Sequence, residues 1–153
     1  MATPEERISE LGLELPDVVA PLASYVPTAR TGSLVYTAGQ LPIVKGELVV
    51  TGKVGAEVSA EEAAGHARTC ALNAIAAIKA EVGDLSKVKR VVKVVGFVAS
   101  APDFYGQPQV INGASDLLGE VFGDAGRHAR SAVGVSVLPR NSPVEVELIV
   151  EVG

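Results

Sequence analysis

The chain has 153 residues, the size of one domain with a single core. It is 48% hydrophobic and only 20% charged, carries a formal net charge of −5 and has a mean hydropathy of +0.33. The acidic balance argues against a nucleic-acid partner, and no apolar run approaches the ~20 residues that a membrane-spanning helix needs.

The opening "MATPEERISELG" is charged and lacks an apolar stretch, which predicts no secretory signal, and Pro4 to Leu11 reads as a short amphipathic helix. A loop through "LPDVVAPLASYVP" follows. "SLVYTAGQLP" then reads as a short strand ending in a glycine turn, and "ELVVTG", after Lys45-Gly46, as a further extended piece, so the opening strands are short and turn-rich. "SAEEAAGHARTCALNAIAAIKAEVG" is the clearest helix. Ser59 and Glu62 have the spacing of a capping box, apolar residues recur at 63, 67, 71, 74, 75, 78 and 82, and Gly83 is a natural stop. The lone Cys70 lies on the inner half of this helix and reads as a small core residue of a reducing compartment, so the expected location is the cytoplasm.

"KVKRVVKVVGFVAS" is nearly unbroken valine, as in a strand covered on both faces. Two helices cover only one of them. Small domains also expose much of their surface, so this apolar content predicts a subunit interface and a homo-oligomer. "QVINGASDLLGEVFG" reads as a second helix, weakened by Gly113 and Gly119, and the strands "RSAVGVSVL" and "VEVELIVEV" end the chain. The predicted order is βββ-α-β-α-ββ, an α+β domain with helices on one face of a mostly antiparallel sheet.

Familiar nucleotide and nucleophile motifs fail. "GELVVTGKV" has one residue too many between Gly46 and Gly52 for a phosphate loop, and Val54 stands where a magnesium-binding hydroxyl belongs. Neither histidine, His66 on the first long helix nor His128 in a loop beside Arg130, has a Cys or His at metal-ligand spacing, so no metal site is expected. What remains is the C-terminus. Val144, Val146, Leu148, Val150 and Val152 alternate with Glu145, Glu147, Ile149 and Glu151; the plain reading of Glu147 and Glu151 is a solvated acidic face. Glu145 sits at the strand entry, and Arg130 where a loop becomes a strand. If the last two strands formed a tight hairpin, Glu145 would lie roughly 20 Å from Arg130 along the ladder. A shared site then needs another strand order or two subunits.

"YTAGQLP", the capped helix with "ALNAI", and the closing "HARSAVGVSVLP…VEVELIVEV" together resemble the Rid family, the reactive-intermediate imine deaminases also called YjgF or L-PSP proteins. The resemblance spans roughly residues 20 to 152, making residues 1–153 one Rid-like domain with a short extension over 1–20. It implies a chorismate-mutase-like fold, a homotrimer with clefts between subunits, and cofactor-free hydrolysis of imines and enamines such as 2-aminoacrylate to 2-oxo acids and ammonia. Arg130 matches the arginine that grips the substrate carboxylate, and Glu145 the glutamate that positions the attacking water. Tyr25, Asn112 and the Gly39-Gln40 turn match residues that line the cleft. Two positions depart from the family pattern: Ala38 replaces the usual serine of the turn, and Ala132 a common cysteine, which makes the expected pocket more apolar. The segment "APDFYGQPQVING" is also longer, with Gln107 and Pro108 in the expected insertion over 102–109. On the same fold the alternatives are a non-catalytic trimer that binds a small carboxylate or acts as a regulator through a protein partner and, less favoured by the acidic charge, a ribonuclease.

Overall fold

The computed structural model describes residues 2–153. Helix α1 (Pro4–Glu10) starts on a full capping box between Thr3 and Glu6. Strands β1 (Thr28–Thr31) and β2 (Leu34–Thr37) form a hairpin, and β3 (Ile43–Val44) and β4 (Glu47–Leu48) a separate small ladder. Helix α2 (Ala60–Val82) has the expected box between Ser59 and Glu62 and stops at Gly83, whose φ of 85° suits glycine. Strand β5 (Val88–Ala99), helix α3 (Gln107–Phe122), β6 (Ala129–Val135) and β7 (Val144–Val152) complete the chain.

The main sheet has the order β1-β2-β7-β5-β6. The last two strands therefore do not pair. Strand β5 lies between them, antiparallel to β7 and parallel to β6, because α3 supplies the crossover that a parallel pair requires. The "ELVVTG" piece corrects to a two-residue strand outside this sheet. Gln107 and Pro108 are not in a loop either. They open α3, where proline's fixed φ and missing N–H suit a first turn. The Gln107 amide donates to Ser100 Oγ at 3.1 Å and to the Phe104 carbonyl at 2.8 Å, tying the preceding connection down.

Both long helices pack on one face of the sheet. All seven apolar positions of the α2 stripe are buried, and they meet Val94, Val98 and the five inward residues of β7. Gly113 of α3 lies against the Ala64 carbonyl of α2, so the helices touch backbone to backbone. The opposite face of the sheet is open. There Val95, Phe97 and Ile149 are half-buried, and Tyr36 and Val133 are 41% and 43% exposed. The coverage expected on both faces of β5 is met on one only in the single chain.

Candidate functional site

Two groups of predicted residues assemble at two places. The first is a cleft of about 640 Å³ whose walls include Tyr25, Ala38, Gly39, Gln40 and Glu145. Gln40 exchanges backbone hydrogen bonds with Val146, at 2.8 and 3.0 Å, which extends the β2–β7 ladder past the end of β2 and sets Gly39 against Glu145. The approach is so close that a Cβ on Gly39 would overlap Glu145 Oε2. Beyond the turn, buried Asn73 donates to the carbonyls of Leu41 at 3.0 Å and Ile43 at 2.9 Å, anchoring the segment to α2. Tyr25 folds its phenol back to accept the Leu22 N–H at 3.1 Å, which turns its ring into a cleft wall. The rest of the lining is mostly apolar, with Val19, Leu22, Val26, Leu41 and Ile43.

Burial raises the Glu145 carboxyl above its ordinary range, and the neighbouring Glu147 charge raises it further. Glu147 is itself pushed up by burial, because Val95 lies opposite it on β5. The reading of Glu147 as a solvated residue is thus corrected to a half-buried one. Cys70, beneath Glu145, is fully buried; desolvation and then the Glu145 charge hold its thiol protonated, which removes it as a nucleophile.

The second group lies on β6 and α3. Arg130 Nη1 donates to Asn112 Oδ1 at 2.7 Å and to Ser115 Oγ at 3.2 Å, and Nη2 donates to the Pro108 carbonyl at 3.3 Å. A guanidinium has five N–H groups. Among the described residues, one on Nε and one on Nη2 keep no acceptor. These neighbouring donors make the two-pronged edge that matches a carboxylate. Ala132, two residues along β6, packs against the core on the same face.

One chain does not bring the two groups together. Arg130 pairs with Val94 and Glu145 with Phe97, and these partners point to opposite faces of the sheet. The offset of three residues along β5 and two strand spacings across it separates their backbones by roughly 14 Å. Arg130 faces the helices and Glu145 the open face.

Sequence reasoning missed Asn73 and Ser115 as contributors. Asn73 had a visible signal, a polar residue inside an otherwise apolar buried stripe; Ser115 lies three residues after Asn112 on the same face of α3. Among the described residues, no helix is long and apolar enough to cross a membrane, and no cluster of His, Cys, Asp and Glu is placed to hold a metal.

Comparison with known proteins agrees with this architecture. Residues 5–152 match the family described as "YjgF/chorismate_mutase-like, putative endoribonuclease". Protein TCP17 of Trypanosoma cruzi is 44% identical over 146 residues, 95% of this chain and 91% of that one. A 2-iminobutanoate/2-iminopropanoate deaminase of Dermatophagoides farinae is 32% identical over 131 residues, 85% of this chain and 87% of that one. The crystal structure of Atu1372, a protein of unknown function from Agrobacterium tumefaciens, superposes with a TM-score of 0.92 at 49% identity, covering 98% of this chain and 92% of the other. On the extent of the family match and the identity of these relatives, the chain belongs to the YjgF/chorismate-mutase-like family.

Proposed function

We propose that this protein is a cofactor-free hydrolase of imines and enamines of small 2-amino acids, releasing a 2-oxo acid and ammonia. The observation that carries the reading is the Arg130 guanidinium, fixed by three bonds to α3 with two adjacent donors left for a carboxylate. Water adds to the C=N carbon while Glu145 accepts its proton. The protonated carboxyl returns that proton to the nitrogen, giving the carbinolamine. As this collapses, Glu145 carries the remaining hydroxyl proton to the same nitrogen, so the C–N bond breaks, ammonia leaves with both protons of the water and the C=O of the oxo acid forms. A carboxyl held above the ordinary range is suited to both halves of this exchange.

Because Arg130 and Glu145 face opposite sides of one sheet, the active cleft is shared between subunits, with Arg130 from one and the Glu145 cleft from its neighbour. A homotrimer, the arrangement the family resemblance implies, covers the open apolar face and creates three such clefts. The relative from Dermatophagoides farinae named as an imine deaminase supports the chemistry. A net charge of −5 disfavours the endoribonuclease in the family's description.

The test is ammonia and 2-oxo acid release from imines generated in situ by an amino-acid oxidase, over a series of side chains. Arg130→Ala, compared at matched oligomeric state, is expected to lose at least tenfold in kcat/KM, since a charge-assisted pair to the substrate disappears. With the apolar walls of the cleft and Ala38 in place of a hydroxyl, imines with larger apolar side chains are expected to be the better substrates. An assembled protein that accelerates none of them is instead a carboxylate-binding trimer.

A further inference from the structure

Arg130 is not held by the Asn112 contact alone. Ser115 Oγ, which accepts from Arg130 Nη1, is also 2.9 Å from His128 Nε2, and His128 Nδ1 is 2.6 Å from the Gly126 carbonyl. A carbonyl only accepts, so the ring carries its hydrogen on Nδ1. In the neutral ring Nε2 is then an acceptor, and the only hydrogen available between it and Ser115 is that of the hydroxyl. The direction of every bond follows. His128 donates to Gly126, Ser115 donates to His128, and the Ser115 lone pairs turn toward Arg130.

From this chain of bonds we infer that Ser115 and His128 are positioning residues for the carboxylate-gripping guanidinium. A serine hydroxyl rotates freely and serves an arginine as acceptor only when its own hydrogen is taken elsewhere. His128 takes it, and the Gly126 carbonyl fixes the histidine tautomer that can do so. Gly126 itself is pinned, because a Cβ there would strike the Leu118 carbonyl of α3. The device thus closes on the helix that also supplies Asn112 and the Pro108 carbonyl. With Nη1 fully occupied, the guanidinium presents Nε and Nη2 to the ligand instead of turning about its stem. Such preorganisation lowers the ordering cost of binding.

The inference rests on the proposed carboxylate role of Arg130, and two measurements keep the two apart. The first is a long-range ¹H–¹⁵N spectrum of histidine-labelled protein, with His66→Gln assigning the two rings. His128 is expected with its hydrogen on Nδ1, the minor tautomer of free histidine; a hydrogen on Nε2 overturns the relay whatever the protein does. The second is calorimetric titration with 2-oxobutanoate, a stand-in for the product. Ser115→Ala is expected to weaken binding roughly tenfold and His128→Phe about threefold, the ranges for losing a bond to a charged donor and a neutral one. Ser115→Thr keeps the hydroxyl and should recover most of the affinity. In the deaminase assay the Ser115→Ala loss should fall on KM, with kcat changing less than about twofold. A Ser115→Ala protein with wild-type affinity, beside an Arg130→Ala protein without any, overturns the positioning role and leaves the function standing. Wild-type affinity in Arg130→Ala overturns the carboxylate role, while the tautomer still reports on the relay.

Discussion

Glu145→Gln is expected to lower kcat about a hundredfold or more while leaving the assembled protein at least as stable at neutral pH. The activity figure is what a positioned general base contributes, roughly 10²- to 10⁴-fold. Glutamine keeps the shape and an oxygen that can orient water, so the variant separates proton acceptance from positioning. The stability expectation follows from burial. The Glu145 pKa is raised in the folded chain by desolvation and then by Glu147. A raised carboxyl favours the folded state below the unfolded pKa, and that contribution is lost as pH rises through the folded value. Above its folded pKa the wild type carries a half-buried charge that glutamine lacks. The Tm of Glu145→Gln should exceed that of the wild type at pH 7, and the difference should vanish as the solution is acidified below the ordinary carboxylate range.

The same electrostatics fix a direction for the rate profile. A base works ionised, so kcat/KM should fall on the acid side through the Glu145 pKa. Removing the Glu147 charge by Glu147→Gln should shift that limb to lower pH, because one of the two causes of the raised value is gone. A limb that does not move in Glu147→Gln, together with full kcat in Glu145→Gln, would mean that Glu145 is not the base. Its contact with Gly39 would then serve packing only.

What could be read in the sequence divides by range. Helix α2 was legible to its ends because cap, periodicity and terminal glycine are all local. The alternation of β7 was equally plain, and it named the correct inward residues. The place of β7 in the sheet was not legible. Whether β6 lies beside β7 or on the far side of β5 depends on α3 carrying the chain across, and nothing in either strand states it. That one fact decides which face Arg130 occupies, and hence that a site holding both charged residues would have to draw on two subunits. Glu147 fails for a related reason: its own strand alternates as a solvated one would, and the burial comes from its neighbours on β5. Pro108 misleads differently, since proline marks a loop in most contexts and a helix start in this one. The residues of the candidate site came from the family resemblance, and the arrangement that makes them plausible chemistry came from register.

Gly113→Ala is expected to destabilise the protein by about 2 kcal/mol, against the direction that helix propensity alone would give. In an exposed helix, glycine to alanine gains roughly 1 kcal/mol. At Gly113 the added Cβ would overlap the Ala64 carbonyl and crowd its Cα, and these are backbone atoms that move only if α2 and α3 separate. Overpacking of this kind costs about 1–3 kcal/mol and sometimes more, and here the helices meet over much of their length. Gly119 on the same helix is the internal control, because nothing lies within 4 Å of the place its methyl would take. Gly119→Ala should therefore stabilise by up to about 1 kcal/mol, so thermal melts of the two variants at one protein concentration should bracket the wild type. At about 2–4 °C per kcal/mol for a chain of this size, the pair should differ by roughly 6–12 °C. Equal stabilisation in both would mean that α2 and α3 do not touch at Gly113. The variant also reaches the candidate site, since Asn112 is the adjacent residue and holds Arg130 at 2.7 Å. A helix displaced at Gly113 should loosen that bond, and the deaminase KM should rise together with the fall in Tm.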